Sequence, residues 1–247
     1  MGWSLSLFAI LLVCHFIFYP LASNPASLAL FGNATQWIGL FFGMIWMAKI
    51  ARTAPKKDFS KWMYLTIGVA ILLLGQTFLS YSELLLKKSA YGSISDAFWI
   101  IGFCLLLVGL FQLARSAASP KEFVQGHIFG LVLFALVFSI LWHDIHNPVR
   151  PTYLKILDVF YSILEVWMVV LALILRQFTQ QKLAWTLATI SLTVYLMTDT
   201  FVVFYSDLHT PIYRYLDIPY FIGICAWWLL GSTLKSSISD SGSVRIA

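Results

Sequence analysis

Eight apolar stretches, each about as long as a membrane-crossing helix, follow one another along this chain of 247 residues. A helix needs about 20 apolar residues to cross a bilayer. Only 11% of the residues are charged, against about 25% in a typical soluble domain. The sequence therefore predicts an all-α fold, a polytopic membrane helix bundle with eight transmembrane helices. The predicted spans are approximately 4–20, 27–48, 62–82, 97–114, 124–142, 157–175, 184–205 and 218–234.

The predicted domain organisation is a single transmembrane helical domain over 1–235, followed by a short cytoplasmic tail, 236–247, that we expect to be disordered. Residues 1–19 resemble the apolar part of a signal peptide. They lack its basic leading region and a convincing small-residue cleavage site, so we assign them to the first helix. Cleavage would leave seven helices instead of eight.

The positive charges predict the orientation of the bundle in the cell membrane. Eleven Lys and Arg residues follow helices 2, 4, 6 and 8, whereas five lie in the links on the opposite side. Basic residues are enriched in cytoplasmic loops, so we expect both termini in the cytoplasm. The net charge of +5 then reflects topology, and its position in short loops favours the lipid bilayer as partner and excludes a nucleic-acid surface.

An acidic residue recurs where three of the predicted outer links lead into a helix, at Asp96, Asp158 and Asp217. Asn33 takes the equivalent place in a fainter first copy. In three of the four copies a glycine follows six residues later, which predicts close helix packing; these glycines are Gly39, Gly102 and Gly223. The recurrence predicts about four repeated helical hairpins whose equivalent loops emerge on one side.

The simplest role for the three repeated aspartates is structural. An Asp at a helix start accepts hydrogen bonds from free backbone N–H groups and complements the positive end of the helix dipole. We therefore interpret Asp96, Asp158 and Asp217 as helix caps, with ligand or cation contact as the alternative.

Aromatic and histidine side chains are concentrated in the predicted outer links. Trp and Tyr at this depth usually anchor a bundle at the head-group layer. The alternative is that they surround a shallow ligand pocket facing outwards. For that alternative, the candidate ligand-binding residues are Trp142, His143, His146, Tyr205 and His209.

A metal site is a weaker hypothesis for the same links. His143, Asp144 and His146 on one link, and Asp207 and His209 on another, supply the N and O ligands that zinc prefers. Their spacing matches no metal-site signature. The five histidines also do not place a haem-binding pair at mid-membrane depth, so we predict neither a metal nor any other cofactor.

Two ionisable residues, Glu165 and Asp199, lie inside the predicted spans, and Gln76 precedes an outer link at a similar depth. Charge in hydrocarbon is costly, so such residues normally face the bundle interior or a wet cavity. One interpretation is a set of hydrogen bonds between helices. The other is a polar ligand-binding centre in which both acids face inwards.

A group of short motifs surrounds the fourth helix. Its residues are Ser93, Asp96, Phe98, Trp99, Gly102, Gly109, Leu110 and Arg115. These motifs resemble the eight-helix N-terminal membrane input regions of bacterial histidine kinases and GGDEF-type diguanylate cyclases. The opening of helix 8, 216–220, is similar too. In that group an acidic residue often precedes the loop, a place held here by Gln76 and Asp199.

The resemblance implies a sensor-like input module. The 12 residues that follow Lys235 are too few for a kinase or cyclase domain, so the module is expected to act through a cytoplasmic or membrane protein partner. A small transporter, a lipid-handling protein or an accessory subunit of a larger complex is the alternative. An enzyme is less favoured, because no HExxH, GxSxG or comparable catalytic motif is present.

Overall fold

Helices account for nearly all of the computed structural model, which describes residues 2–21, 24–87, 92–205 and 216–241. Seven long helices come first, and two shorter ones follow near the C-terminus. The third ends in one π-helical turn, Tyr81–Leu85. The helices are α1 Gly2–Leu21, α2 Pro25–Thr53, α3 Lys56–Ser80, α4 Ile94–Ala117, α5 Pro120–Ile145, α6 Thr152–Phe178, α7 Lys182–Tyr205, α8 Asp217–Ile224 and α9 Ala226–Ser241.

Among the described residues, seven helices are long and apolar enough to cross a membrane. The prediction of an all-α, multi-pass helix bundle is therefore confirmed. The eighth predicted span, 218–234, is divided between α8 and α9, which meet at Cys225. Helix α9 continues to Ser241, so the predicted domain boundary at 235 falls inside a helix.

Helices α3 and α4 run in opposite directions, because Gly75 packs on Trp99 at one end of the pair and Gly109 packs on Leu65 at the other. Helices α2, α4, α6 and α8 begin at the same end of the bundle, which we call the long-link end, and α3, α5 and α7 begin at the other. Helix α6 is the most enclosed of the seven spans, whereas α1 and α5 bury the smallest share of their residues. Helices α4, α5 and α7 pack against α6, helices α1, α2 and α7 pack against the α8–α9 pair, and α3 packs between α2 and α4.

Glycine contacts bring α3 and α4 close together. A Cβ atom at Gly102 would lie 2.5 Å from Leu72 Cδ2 and 3.1 Å from the Gly68 carbonyl oxygen. Conversely, a Cβ atom at Gly68 would lie 3.0 Å from the Gly102 carbonyl oxygen. The glycine predicted to allow close packing does so here, because small residues let two backbones approach in a membrane. Gly223 packs equally tightly against Tyr195.

The three repeated aspartates do not occupy equivalent positions at their helix starts. Asp96 takes part in a capping box with Ser93 at the start of α4. Helix α6 begins at Thr152, five residues before the predicted span, so Asp158 lies in its second turn and the prediction that it caps α6 is wrong. Asp217 is the first residue of α8, and no side chain caps that helix through a hydrogen bond.

Candidate ligand-binding cavity

A partly open cavity of about 570 Å³ lies among six helices at the long-link end of the bundle. Its volume is within the range typical of small-molecule sites, about 300–1,000 Å³. Polar groups and aromatic rings share its wall with a few aliphatic side chains. The lining residues are Asn33, Gln36, Gln76, Leu79, Glu83, Ser95, Asp96, Trp99, Arg150, Asp158, Tyr161, Ser162, Tyr195, Asp199, Val202, Val203, Asp217, Tyr220 and Ile224.

Acidic side chains dominate the charge of this cavity. Five carboxyl groups line it, and one basic side chain, Arg150, does so within the described part of the chain. The whole chain contains only 11 acidic residues, so nearly half of them meet at one place. The five lining acids are Glu83, Asp96, Asp158, Asp199 and Asp217.

The wall formed by α2 and α3 is built around the Asn33 side chain. Its Nδ2 atom donates to Glu83 Oε2 at 2.9 Å and to the Ala29 carbonyl at 2.9 Å. Its Oδ1 atom accepts from Gln76 Nε2 at 3.1 Å and from Ser80 Oγ at 2.7 Å. The π-helical turn that follows α3 carries Glu83, and irregular turns of this kind are frequent at functional sites.

Asp96 joins the start of α4 to α6. Its Oδ2 atom accepts from the backbone N–H of Gly92 at 2.7 Å and of Ser93 at 2.9 Å. Its Oδ1 atom accepts from the Tyr161 hydroxyl at 2.9 Å. Both backbone donors precede the aspartate in the chain. Asp96 therefore combines a capping contact with a place on the cavity wall.

The other two repeated aspartates have side-chain partners. Asp158 forms an ion pair with Arg150, with 2.6 Å between Oδ2 and a guanidinium nitrogen. Asp217 accepts a hydrogen bond of 2.5 Å from the Tyr19 hydroxyl on α1. Gly32 makes room for this second contact, because a Cβ atom there would lie 2.8 Å from the Asp217 carboxylate.

Glu165 on α6 and Asp199 on α7 are close enough for their carboxyl groups to interact electrostatically, and both Glu165 oxygens are buried without a hydrogen-bond partner. Asp199 lines the cavity and accepts a hydrogen bond from the Tyr220 hydroxyl on α8. Glu165 is 1% exposed and does not line the cavity. The sequence analysis predicted two acids facing a common space. The structure brings the two side chains together but places only Asp199 at the wall.

The other candidate residues fall into three groups. Gln76 lines the cavity, as its depth indicated. Trp142, His143 and His146 do not line it: they lie exposed at the end of α5, where Trp142 packs on His146 at 4.1 Å between ring centroids. The hypothesis that these three residues surround a ligand pocket does not hold for this cavity. The side chain of Tyr205, and His209 as a whole, lie outside the described residues.

The metal hypothesis rested on the same links. Where side chains are described, no three His, Cys, Asp or Glu residues are grouped closely enough to hold a metal ion. Asp207 and His209 lie outside the described residues, as does the side chain of Asp144.

Several cavity residues escaped the sequence analysis. Asp96, Asp158 and Asp217 were interpreted first as caps, although ligand contact was the alternative considered. The available signal was that each of them follows a predicted outer link, because links on one side of a membrane lie at the same end of a bundle. No comparable signal indicated Trp99 or Tyr195, since aromatic residues are frequent throughout this chain.

Comparisons with known proteins give no further assignment. No protein-family model matches the chain. No curated protein and no solved structure shows significant similarity to it. The function must therefore be argued from the cavity itself.

Proposed function

We propose that this chain is an integral membrane sensor-like module that detects a small solute through the cavity and passes the response to a partner protein. The observation that carries the proposal is the cavity of about 570 Å³ with five carboxyl groups on its wall. Buried charge is costly in a membrane protein, and its concentration at one place is typical of a functional site. The outer faces of the helices instead expose large hydrophobic side chains, such as Leu30, Val108 and Ile190.

The proposal includes a topology. The α8–α9 pair acts as the eighth transmembrane span, and both termini lie in the cytoplasm. The excess of basic residues at the end opposite the long-link end supports this orientation. The cavity then opens to the outside of the cell membrane, where it samples external solutes.

The contact between Asp199 and Tyr220 suggests how occupancy of the cavity is transmitted. It joins α7 to α8 about one turn before the break at Cys225. Helix α9 begins directly after this break and leads to the other end of the bundle. A solute that competes for the Asp199 carboxylate shifts α8 relative to α7, and the joint at Cys225 changes the position of α9. A partner protein reads that change on the cytoplasmic side.

A carrier is the second candidate, and the divided helix favours it. Discontinuous transmembrane helices often form the substrate sites of secondary transporters. Here the break at Cys225 lies five residues after Tyr220 and one residue after Ile224, and both of these residues line the cavity. Uptake of a cavity-binding solute into proteoliposomes separates the two functions, because a sensor binds the solute without accumulating it inside.

Covalent occupation of the cavity tests the sensor proposal before any ligand is known. Leu79 lines the cavity and is replaced by Cys in a variant whose native cysteines, Cys14, Cys104 and Cys225, are removed. Benzyl methanethiosulfonate then fills part of the cavity. Ile101, which is 51% exposed on α4, carries the matched control cysteine. The rate of hydrogen–deuterium exchange in each helix is then measured on the protein in nanodiscs.

We expect modification at position 79 to change exchange in α8 and α9, and modification at position 101 to leave it unchanged. A change confined to the residues around position 79 would contradict transmission through the divided helix. Equal changes from both positions would show a general effect of labelling and would also count against the proposal.

A further inference from the structure

The cavity carries more negative charge than its described surroundings neutralise. Arg150 is paired with Asp158. Three further carboxylates accept hydrogen bonds only from uncharged donors in the described residues: Glu83 from Asn33, Asp217 from Tyr19, and Asp96 from Tyr161 and two backbone N–H groups. Such bonds orient a carboxylate but leave its charge in place. A positively charged ligand in the cavity would balance this negative charge.

Buried polar atoms without a partner give a second, independent sign of a ligand. Gln76 is fully buried and lines the cavity, and its Oε1 atom has no hydrogen-bond partner, although Nε2 is bonded to Asn33. Trp99, which is 7% exposed and also on the wall, has an unpartnered Nε1–H group. Leaving a buried polar group unpaired costs free energy, so each such group is explained best by a partner that occupies the cavity.

The acceptors without a charged partner lie on two facing elements. Gln76 and Glu83 are seven residues apart on α3 and its π-helical turn, and both are bonded to Asn33. Asp217, at the start of α8, packs against Gly32, and Glu83 is bonded to the next residue of α2, Asn33, so the two carboxylates lie beside consecutive residues of the cavity wall and their charges repel. A donor-rich cation between them would relieve this repulsion and also reach the Gln76 carbonyl.

We propose that the cavity binds a small primary amine as its ammonium ion, held by the Glu83 and Asp217 carboxylates and the amide oxygen of Gln76. This assignment rests on the proposed function, in which the cavity takes a small solute. An ammonium group has three N–H donors and a positive charge, which match two carboxylates and one carbonyl oxygen. The aromatic walls favour an organic cation, because ring faces attract cations and shelter apolar carbon.

The shape of the site favours an amine over a bare metal ion. A cavity of about 570 Å³ is far larger than an ion needs, and no three His, Cys, Asp or Glu side chains in the described residues are close enough to coordinate one. The indole N–H of Trp99 provides a donor for a hydroxyl or carbonyl group on the same ligand. Trp99 and Tyr195 stack with ring centroids 6.5 Å apart and form the apolar part of the wall.

The test compares amines with uncharged molecules of the same shape. The purified protein in nanodiscs is titrated at constant ionic strength with ethanolamine, butylamine and 2-phenylethylamine, and with ethylene glycol, butanol and 2-phenylethanol. Isothermal titration calorimetry and the unfolding temperature report binding. We expect saturable binding of at least one amine, about tenfold or more tighter than its alcohol, since a charged hydrogen bond is roughly twice as strong as a neutral one.

Variants locate the binding to the two carboxylates. Glu83→Gln and Asp217→Asn keep an oxygen that accepts from Asn33 and Tyr19, so both are expected to fold, and each weakens amine binding about tenfold. Glu122→Gln is the matched control, because Glu122 lies at the opposite end of the bundle. We expect it to leave amine binding unchanged.

Several results would overturn the amine assignment. These are equal affinity for amines and alcohols, unchanged binding in Glu83→Gln and Asp217→Asn, the same stabilisation by sodium or calcium chloride, or no binding of any amine. In each case the proposed function survives if a cysteine in the cavity reacts with reagents from outside. If that cysteine is unreachable from outside, the sensor proposal itself fails.

Discussion

The guanidinium group of Arg150 lies 2.6 Å from the Asp158 carboxylate, and both side chains are largely buried in the cavity wall. This ion pair fixes the link that leads into α6 against the second turn of the same helix. It also removes one of the five lining acids from the charge that a ligand must balance. Among the remaining four, Glu83, Asp96 and Asp217 accept hydrogen bonds only from uncharged donors in the described residues, so these three are available to bind a cation.

Breaking the Arg150–Asp158 pair is expected to destabilise the bundle. Arg150→Gln leaves a buried carboxylate without its cation, at a cost of about 3 kcal/mol. Adding Asp158→Asn removes the unpaired charge and restores part of that loss. Lys155→Gln is the control on the same helix. Thermal unfolding in detergent measures the effect, and equal stability of the Arg150→Gln and Lys155→Gln variants would contradict a structural role for the pair.

Substitutions of Asp96 separate its capping contact from its charge. Asn keeps one oxygen for the backbone N–H groups of Gly92 and Ser93, so Asp96→Asn is expected to change stability by less than about 1 kcal/mol. Asp96→Ala removes these backbone contacts and also the 2.9 Å hydrogen bond from the Tyr161 hydroxyl, and we expect a loss of about 2 kcal/mol. Chemical denaturation of both variants tests this. A loss in Asp96→Asn as large as in Asp96→Ala would show that charge, and not capping, stabilises the site.

The close approach of α3 and α4 should make Gly102 intolerant of a side chain. Gly102→Ala places a methyl group 2.5 Å from Leu72 Cδ2 and is expected to cost about 1–3 kcal/mol. Gly130→Ala is the control, because its nearest neighbour is Val170 Cγ2 at 3.1 Å. The unfolding temperature of each variant in detergent gives the comparison. Similar values for the two would mean that α3 and α4 separate without loss.

Glu165 gives a prediction about the shape and the charge of a buried side chain. It is 1% exposed, and both of its carboxyl oxygens lack a hydrogen-bond partner. Glu165→Gln keeps the shape and removes the charge beside Asp199, so we expect the fold to persist. Glu165→Ala leaves a void, at a cost of about 2 kcal/mol or more. Greater loss of stability in Glu165→Gln than in Glu165→Ala, measured by chemical denaturation, would contradict a role for this side chain in packing.

The helices and the inward-facing acids could be predicted from sequence because each depends on a local rule. Apolar length predicted the seven long helices, and the cost of charge in hydrocarbon predicted that Glu165 and Asp199 face inwards. The residues at which helices begin were harder to predict. Residues 152–156, which precede the predicted span, are helical in α6, so Asp158 was interpreted as a cap although it lies in the second turn.

The set of residues that line the cavity could not be predicted, because it depends on how separate helices pack against one another. Nothing in the 142–146 motif shows that α5 lies at the periphery and points Trp142 and His146 away from the cavity. Likewise, the pairing of Asn33 with Glu83 joins residues 50 positions apart, and only the packing of α2 on α3 creates it. The break at Cys225 could not be predicted either, because that position holds neither proline nor glycine.

The most direct test of the account is the side from which the cavity can be reached. Val203 lines the cavity and is replaced by Cys in the variant without native cysteines. Intact cells are treated with membrane-impermeant methanethiosulfonates that carry either a trimethylammonium or a sulfonate group. We expect labelling from outside, at least about tenfold faster for the cationic reagent, because acidic walls concentrate cations. Labelling only from the cytoplasmic side, or equally fast reaction of the anionic reagent, would contradict an outward-facing acidic cavity.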